Sequence, residues 1–412
     1  MKAMAAGVQT TILLLLIAAV VAMLAKRLRF PYAAGLVVAG IVLAAVPFAP
    51  RILVTRDLIY AGLLPPLLFE AAYHIHWEAL RRNALLIGVL VTLGVAISGG
   101  VSAAGMHLLA HWSWMGALVF GALIAATDPV SVIATLRESR AKGRLPLLIE
   151  AESLLNDGTA SVAFAVVVAI AMGQHLGAGG VALQLVGSIC GGVACGAAVG
   201  LGALLLTGRT NDHLVEVTFT TIAAYGSFLL ADSLNMSGVL ATIASGLVMS
   251  NFRSIGAISK RGEEAIERFW EYAAFVANSL VFLLIGTQQS DRDFLAVWLP
   301  TVIGIAVVLL GRACAVYFCS SLFAGSSLRI SARHQHALIW GGLRGALALA
   351  LALSLPQQLP LRKEIVTVSF AVVAFSIFVQ GLTMPLLLRR IGEIPGRAHA
   401  PEPRRDEASV RS

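Results

Sequence analysis

The segment IEAESLLNDGTASVAFAVVVAI, residues 149–170, sets three carboxylates, Glu150, Glu152 and Asp157, against a run apolar enough to lie in lipid. A charged side chain at a bilayer centre costs about 3 kcal/mol on insertion scales, so acid buried there is a functional hypothesis by default. Ser153 and Asp157 are four residues apart and share a helix face, while Glu152 and Asn156 share the neighbouring face. Upstream, GALIAATDPVSVIATLRE holds Asp128 and Pro129 in mid-run. Proline suits the first position of a helix, aspartate caps an N-terminus, and proline disfavours helical geometry in the residue before it. Two readings follow: a second half-helix starting at Asp128, or a plain proline kink. In the first, the carbonyls near Ala126 and Thr127 lose their helical partners and need other donors or a cation. Downstream, ALIWGGLRGALALALAL carries Arg344 among Gly341, Gly342 and Gly345, which allow close approach or a local break. A lone deep arginine needs a buried carboxylate, and Glu152 is the first choice. For the acids of 149–170, the plainer alternative is a purely structural polar network.

Other polar groups carry weaker signals. Arg312 is read as structural, either snorkelling or paired with Asp232. Glu70, in PPLLFEAAYHIHW, is either a vestibule group that attracts cations or an interface residue, and His74 and His76 read as interfacial. Asn278 and Ser279 stand in an apolar helix, where they could satisfy a neighbouring break. Cys190 with Cys195, and Cys314 with Cys319, have no histidine beside them and read as small packing residues.

The elements that hold these groups follow from composition. The chain is 412 residues, 58% hydrophobic and only 13% charged, against about a quarter charged in a soluble domain. Apolar runs of about 20 residues recur from end to end, the pattern of a polytopic all-α membrane protein, whereas a barrel would show short alternating segments. Thirteen spans are expected, near 8–25, 30–48, 56–73, 83–110, 113–136, 147–172, 180–207, 213–232, 236–252, 266–288, 293–322, 334–355 and 363–389. The first could pass for a signal peptide, but Lys26, Arg27 and Arg29 follow it at once and resist export. With the N-terminus outside, the basic clusters at 26–29, 81–82, 137–144 and 329–333 fall inside. The outside segments then hold only Lys2, Arg51, Arg56, Arg292, Arg362 and Lys363, a positive-inside bias that puts the C-terminus in the cytoplasm. The net charge of +8 therefore reports orientation and not nucleic-acid binding. The polar segment 391–412 reads as a short disordered tail.

Depth links the two halves. Asp157 lies roughly 10–12 residues from the inside end of its span, about 15–18 Å at 1.5 Å per residue, the middle of the hydrocarbon core. Asp128 and Arg344 reach similar depths. Spans five and twelve are seven apart in order and so run in opposite directions. Each carries a charge and helix-weakening residues near the midplane, the pattern of an inverted repeat with two broken helices meeting at one site.

The segments ATDPVSV (126–132), EAESLLNDGTA (150–160) and GGLRGA (341–346) resemble the monovalent cation:proton antiporters, in the branch of the NhaP-type proteins and animal sodium/proton exchangers. The resemblance spans the membrane chain in the expected order. It implies an NhaA-like fold of thirteen helices with two broken crossing helices, in a homodimer. Dimerisation helices would cover about 8–73 and 213–288, core helices about 83–172 and 293–389, and a linking helix about 180–207, together a transporter domain over 1–390. It implies that Asp157 is the shared cation and proton site, with Asn156 as its partner. The Thr127 carbonyl and the Ser153 hydroxyl would be further ligands of the monovalent cation, and Asp128 would belong to the unwound helix. Glu152 and Arg344 would form a structural ion pair in the core, and Glu70 would lie near the cytoplasmic route. The implied activity is exchange of sodium, or lithium or potassium, for a proton, one for one, by an elevator movement in a bacterial inner membrane. That activity would serve pH and sodium homeostasis, with no cofactor. The hormone-type regulation of animal exchangers is not carried over. Two rivals share the scaffold, a sodium-coupled solute symporter and a cation channel. An intramembrane aspartyl protease also uses two buried aspartates, but it needs a Gly-x-Gly-Asp segment that this chain lacks.

Overall fold

The computed structural model describes residues 2–28, 30–46, 57–139, 141, 143–175, 177–251, 258–288, 294 and 296–394. Several basic residues that orient the chain, Arg29, Arg51, Arg56, Arg140, Lys142, Arg253 and Arg292, lie outside these, as does the expected tail from 395 onward. Among the described residues every regular element is a helix. In chain order they are α1 (Lys2–Leu28), α2 (Tyr32–Ala45), α3 (Leu64–His74), α4 (Trp77–Val89), α5 (Val95–Ala110), α6 (Trp114–Ile124), α7 (Val130–Glu138), α8 (Arg144–Ala171) and α9 (Ala178–Thr207). Then come α10 (His213–Ser233), α11 (Gly238–Asn251), α12 (Lys260–Thr287), α13 (Trp298–Ser321), α14 (Ala332–Gly341), α15 (Ala346–Leu353), α16 (Arg362–Phe375) and α17 (Gly381–Arg390). Wider turns of π-type join α4 to α5 at Leu90–Gly94 and α16 to α17 at Ser376–Gln380, and another, Leu58–Leu63, leads into α3.

Among the described residues, eight helical segments are long and apolar enough to cross a membrane, and four shorter apolar helices accompany them. The observed helices outrun the apolar runs at charged ends. α4 starts at Trp77 where the run suggests 83, and α12 starts at Lys260 where it suggests 266. Hydropathy marks only the part that lies in hydrocarbon. The backbone continues as helix into the interface, where Glu78, Arg81, Arg82 and Glu264 meet water without cost. The start of α12 is also capped: Ser259 Oγ accepts from the Gly262 N–H at 3.0 Å. Buried Glu216 of α10 in turn accepts from the Ser259 N–H and hydroxyl, at 3.2 and 3.1 Å.

Packing sorts the helices into two groups. α2, α3, α10, α11 and α12 pack on one another, with α1 on α2 and α9 against α10 and α11. In the second group α5 packs on α6 and α13, α6 on α8, α13 on α14 and α16, and α15 on α16. α8 touches both groups, through α3 and α11 on one side and α6 and α7 on the other. Helices in lipid associate by close backbone contact, which needs small residues. The crossing of α2 and α12 shows it: a Cβ at Gly40 would lie 2.2 Å from the Leu283 carbonyl, and one at Gly286 would lie 2.2 Å from the Val37 carbonyl. Gly286→Val must therefore push the two helices apart. The expected loss is about 1–3 kcal/mol, read as a lower unfolding midpoint and a smaller monodisperse fraction in detergent.

Candidate functional site

The two interruptions expected in the sequence are real breaks, and they touch. Residues 125–129 are non-helical between α6 and α7, and residues 342–345 are non-helical between α14 and α15. The Asp128 N–H donates to the Leu343 carbonyl at 2.8 Å, so the breaks meet backbone to backbone. Four helix ends converge there, each with unpaired peptide groups.

Those groups are satisfied one by one, and by side chains from other elements. Arg344 Nη1 donates to the Ala125 and Ala126 carbonyls, at 2.8 and 2.9 Å, at the C-terminal end of α6. Asn156 Oδ1 accepts from the Thr127 N–H at 3.1 Å. Ser153 Oγ donates to the Thr127 carbonyl at 2.6 Å. Asp128 Oδ1 accepts from the Val130 N–H at 3.0 Å, and the Ala346 N–H is a second backbone donor to the same carboxylate. A negative group thus caps the N-termini of α7 and α15, and a positive group serves the C-terminus of α6, the favourable sense for both helix dipoles. Gly345 is required by this arrangement, because a Cβ there would lie 1.9 Å from Asp128 Oδ2.

The ion pair in the core differs from the expected one. Glu152 is bound by Arg312 and not by Arg344: Arg312 Nη1 and Nη2 reach Glu152 Oε1 and Oε2, both at 2.7 Å. Arg312 also donates from Nε and Nη2 to the Leu338 carbonyl in the last turn of α14, at 3.2 and 3.0 Å. Asp232, its other expected partner, is exposed. The guanidinium reaches Glu152 across Gly342, where a Cβ would sit 2.5 Å from its Nε. Arg344 faces the freed carbonyls of α6 instead, and its Nε and Nη2 are buried with no partner among the described residues. Spacing along the chain sets depth and not direction around the helix axis, which is why two arginines of similar depth could be exchanged. Asn156 completes the network by donating from Nδ2 to Thr127 Oγ1 at 2.6 Å and to Glu152 Oε1 at 3.0 Å.

Asp157 stands apart from this hydrogen-bonded network. Its Oδ1 is buried with no hydrogen-bond partner among the described residues. As a residue Asp157 lines a cavity of about 360 Å³, which Ser153, Thr127 and Asp128 also line. Leu64, Leu67 and Leu68 of α3 and Phe275 and Asn278 of α12 form the opposite wall. Glu70 lines the cavity too, with Arg137 and Glu150 beside it. Glu152, Asn156 and Arg344 are outside the lining. Sequence reasoning gave no site role to Glu150 or to Arg137. The signal available was the basic stretch 137–144 at the end of α7, with Glu150 nearly two turns into α8. The four cysteines are unpaired, and no cluster of His, Cys, Asp or Glu among the described residues suits a multivalent metal.

Two broken helices meeting beside a buried, unpartnered carboxylate are the architecture of secondary transporters. The chain matches the family described as sodium/hydrogen exchanger, transmembrane, over residues 12–390. It is 39% identical over 374 residues to the Na(+)/H(+) antiporter ApNhaP of Aphanothece halophytica, covering 90% of this chain and 71% of that one. To the Na(+)/H(+) antiporter NhaH of Halobacillus aidingensis it is 31% identical over 395 residues, covering 92% and 97%. The sodium proton antiporter MjNhaP1 from Methanocaldococcus jannaschii shares the fold, with a TM-score of 0.76 at 20% identity over 95% of this chain and 100% of that one. The chain belongs to the sodium/hydrogen exchanger family, an integral membrane secondary transporter and not an enzyme.

The observed pairing changes what substitution at Glu152 should do. Glu152→Leu leaves the buried Arg312 charge uncompensated, an expected loss of about 3–5 kcal/mol. Adding Arg312→Met should restore much of it, whereas adding Arg344→Met should not, since Arg344 serves the α6 carbonyls. Thermal unfolding midpoints of the single and double variants in one detergent check this.

Proposed function

We propose that this chain exchanges a monovalent cation, sodium in the first instance with lithium and potassium as alternatives, for a proton, with Asp157 as the site both share. The observation that carries the reading is the carboxyl of Asp157: the residue lines the cavity, and its Oδ1 is buried with no hydrogen-bond partner among the described residues. A carboxylate oxygen buried without a donor is stable when it holds a proton or touches a cation, and costly when charged and bare. Two occupied states can cross the membrane and the empty charged one cannot, which makes the cycle an exchange and not a leak. The ligand set consists of hard oxygens: the Asp157 carboxylate, the Ser153 hydroxyl lone pair not used by Thr127 Oγ1 and the remaining lone pair of the Thr127 carbonyl. Asp128 shares the cavity, but its two backbone donors commit it to the helix ends.

Asn156 acts as a positioning group, holding Thr127 against α8. It also leaves Asp157 as the one titrating member of its pair, which fits one cation per proton and an electroneutral cycle. An electrogenic cycle would respond to voltage with about 2.3 kcal/mol per charge per 100 mV. The wider reading has thirteen spans in two inverted repeats and a homodimer held through the first helix group. An elevator movement would carry the second group, the N-terminus would lie outside, the C-terminus in the cytoplasm, and the host membrane would be a bacterial inner membrane. It draws on the relatives described as Na(+)/H(+) antiporters and on the resemblance of the three motifs.

In proteoliposomes with an internal pH dye, a sodium gradient should drive proton flux in the wild type with no organic solute present, which separates exchange from solute symport. Asp157→Asn keeps the side-chain shape and removes the titrating group, so its flux should fall to that of empty liposomes while the protein stays monodisperse. Residual exchange in that variant would remove Asp157 from its role. Clamping the membrane potential with potassium and valinomycin should leave the sodium-driven rate unchanged, and a steep voltage dependence would exclude the one-for-one cycle.

A further inference from the structure

We propose that Arg137 is a tethered cation at the mouth of the Asp157 cavity that competes with the transported cation for Glu70 and Glu150. The inference rests on the reading that a monovalent cation reaches Asp157 through this cavity. Arg137 sits in the last turn of α7, and its Nη2 lies 2.8 Å from Glu150 Oε1 on α8. Its Nη1 lies 3.5 Å from Glu70 Oε1 on α3, at the outer limit of a hydrogen bond. The firm contact is therefore within α7 and α8, and the loose one crosses the cavity to the other helix group.

Exposure orders these groups along the route. The Arg137 side chain is 49% exposed, while those of Glu70 and Glu150 are 15% and 18% exposed. An ion coming from solvent meets the guanidinium first and the acids behind it. His74 of α3 stands on the far side of Glu70, its Nδ1 at 2.9 Å from the Glu70 carbonyl and 3.3 Å from Glu70 Oε1. Glu271 of α12 lines the same cavity. Beside Asp128 and Asp157, the lining thus sets three further carboxylates, Glu70, Glu150 and Glu271, against one permanent cation, Arg137.

A guanidinium has only donors and keeps its proton, so its charge at the mouth is constant. It does two things to an arriving cation. It occupies the carboxylate oxygens that would otherwise receive the ion, and it lowers the local concentration of cations in the funnel. Both act on apparent affinity. Neither touches the events at Asp157, where Arg137 makes no contact. The half-exposed, stretched bond to Glu70 is weak enough to yield to an incoming ion.

The test is a KM-against-Vmax split on purified, reconstituted protein. Initial proton flux is measured against external sodium at one pH, with choline chloride holding ionic strength constant. Arg137→Gln should lower the apparent KM for sodium by about 2- to 10-fold at low ionic strength, with Vmax close to wild type. That gain should shrink toward 1 M salt, where screening acts within about 3 Å. Arg137→Lys, which keeps the charge, should keep the wild-type KM. Glu271→Gln, at an exposed position on the facing wall, should move KM upward and gives a second readout should the Arg137 variants not fold. An unchanged or higher KM in folded Arg137→Gln would overturn the proposal. So would an equal KM shift in the Gln and Lys variants, or a Glu271→Gln KM that fails to rise. Wild-type liposomes with no sodium-driven proton flux would instead overturn the exchange reading itself, and this proposal with it.

Discussion

The structure depends on satisfying the peptide groups freed where two helices break inside a membrane. Hydrocarbon offers no water to an unpaired N–H or C=O, and each such group costs several kcal/mol. The break at 125–129 is possible because its N–H and C=O groups are taken up by Asn156, Leu343, Arg344 and Ser153. Ser153, Asn156 and Arg344 are the buried polar side chains that meet that demand. Glu152 then has its own reason, since it anchors Arg312 on the end of α14 and steadies Asn156.

Seen this way, the network and the site are complementary. A hydrogen-bonded frame is rigid and holds its charges in fixed places. Asp157 is the group left out of it, with an oxygen that has no donor and a cavity in front. The same comparison separates the two aspartates. Asp128 is occupied by the starts of two half-helices, whereas Asp157 keeps a buried Oδ1 with no hydrogen-bond partner among the described residues. The glycines of GGLRGA serve the frame as well, since Gly342 admits the Arg312 guanidinium and Gly345 admits the Asp128 carboxylate.

The cavity also joins the two helix groups. Its inner end is made by α8 and the two breaks, and its opposite wall by α3 and α12. Glu70, Glu150 and Arg137 stand at the outer part of this seam. Any change in how the groups sit against each other must act on the loose contact between Arg137 and Glu70 before it acts on the tight one between Arg137 and Glu150.

Much of the fold and of the site was legible in the chain itself. Membrane insertion follows from apolar runs of the right length, and the breaks follow from Asp128–Pro129 and from the glycines around Arg344, because proline and glycine act on their own backbone. The shared face of Ser153 and Asp157 follows from helical spacing alone. What the sequence could not decide was partnership across helices. Arg312 and Arg344 lie at similar depth, and only the rotation and packing of α13 and α14 put the first on Glu152 and the second on the carbonyls of Ala125 and Ala126. The mouth cluster of Glu70, Arg137 and Glu150 was out of reach for the same reason. Its members come from three helices, and the distances between them are set by tertiary packing, not by any periodicity along the chain.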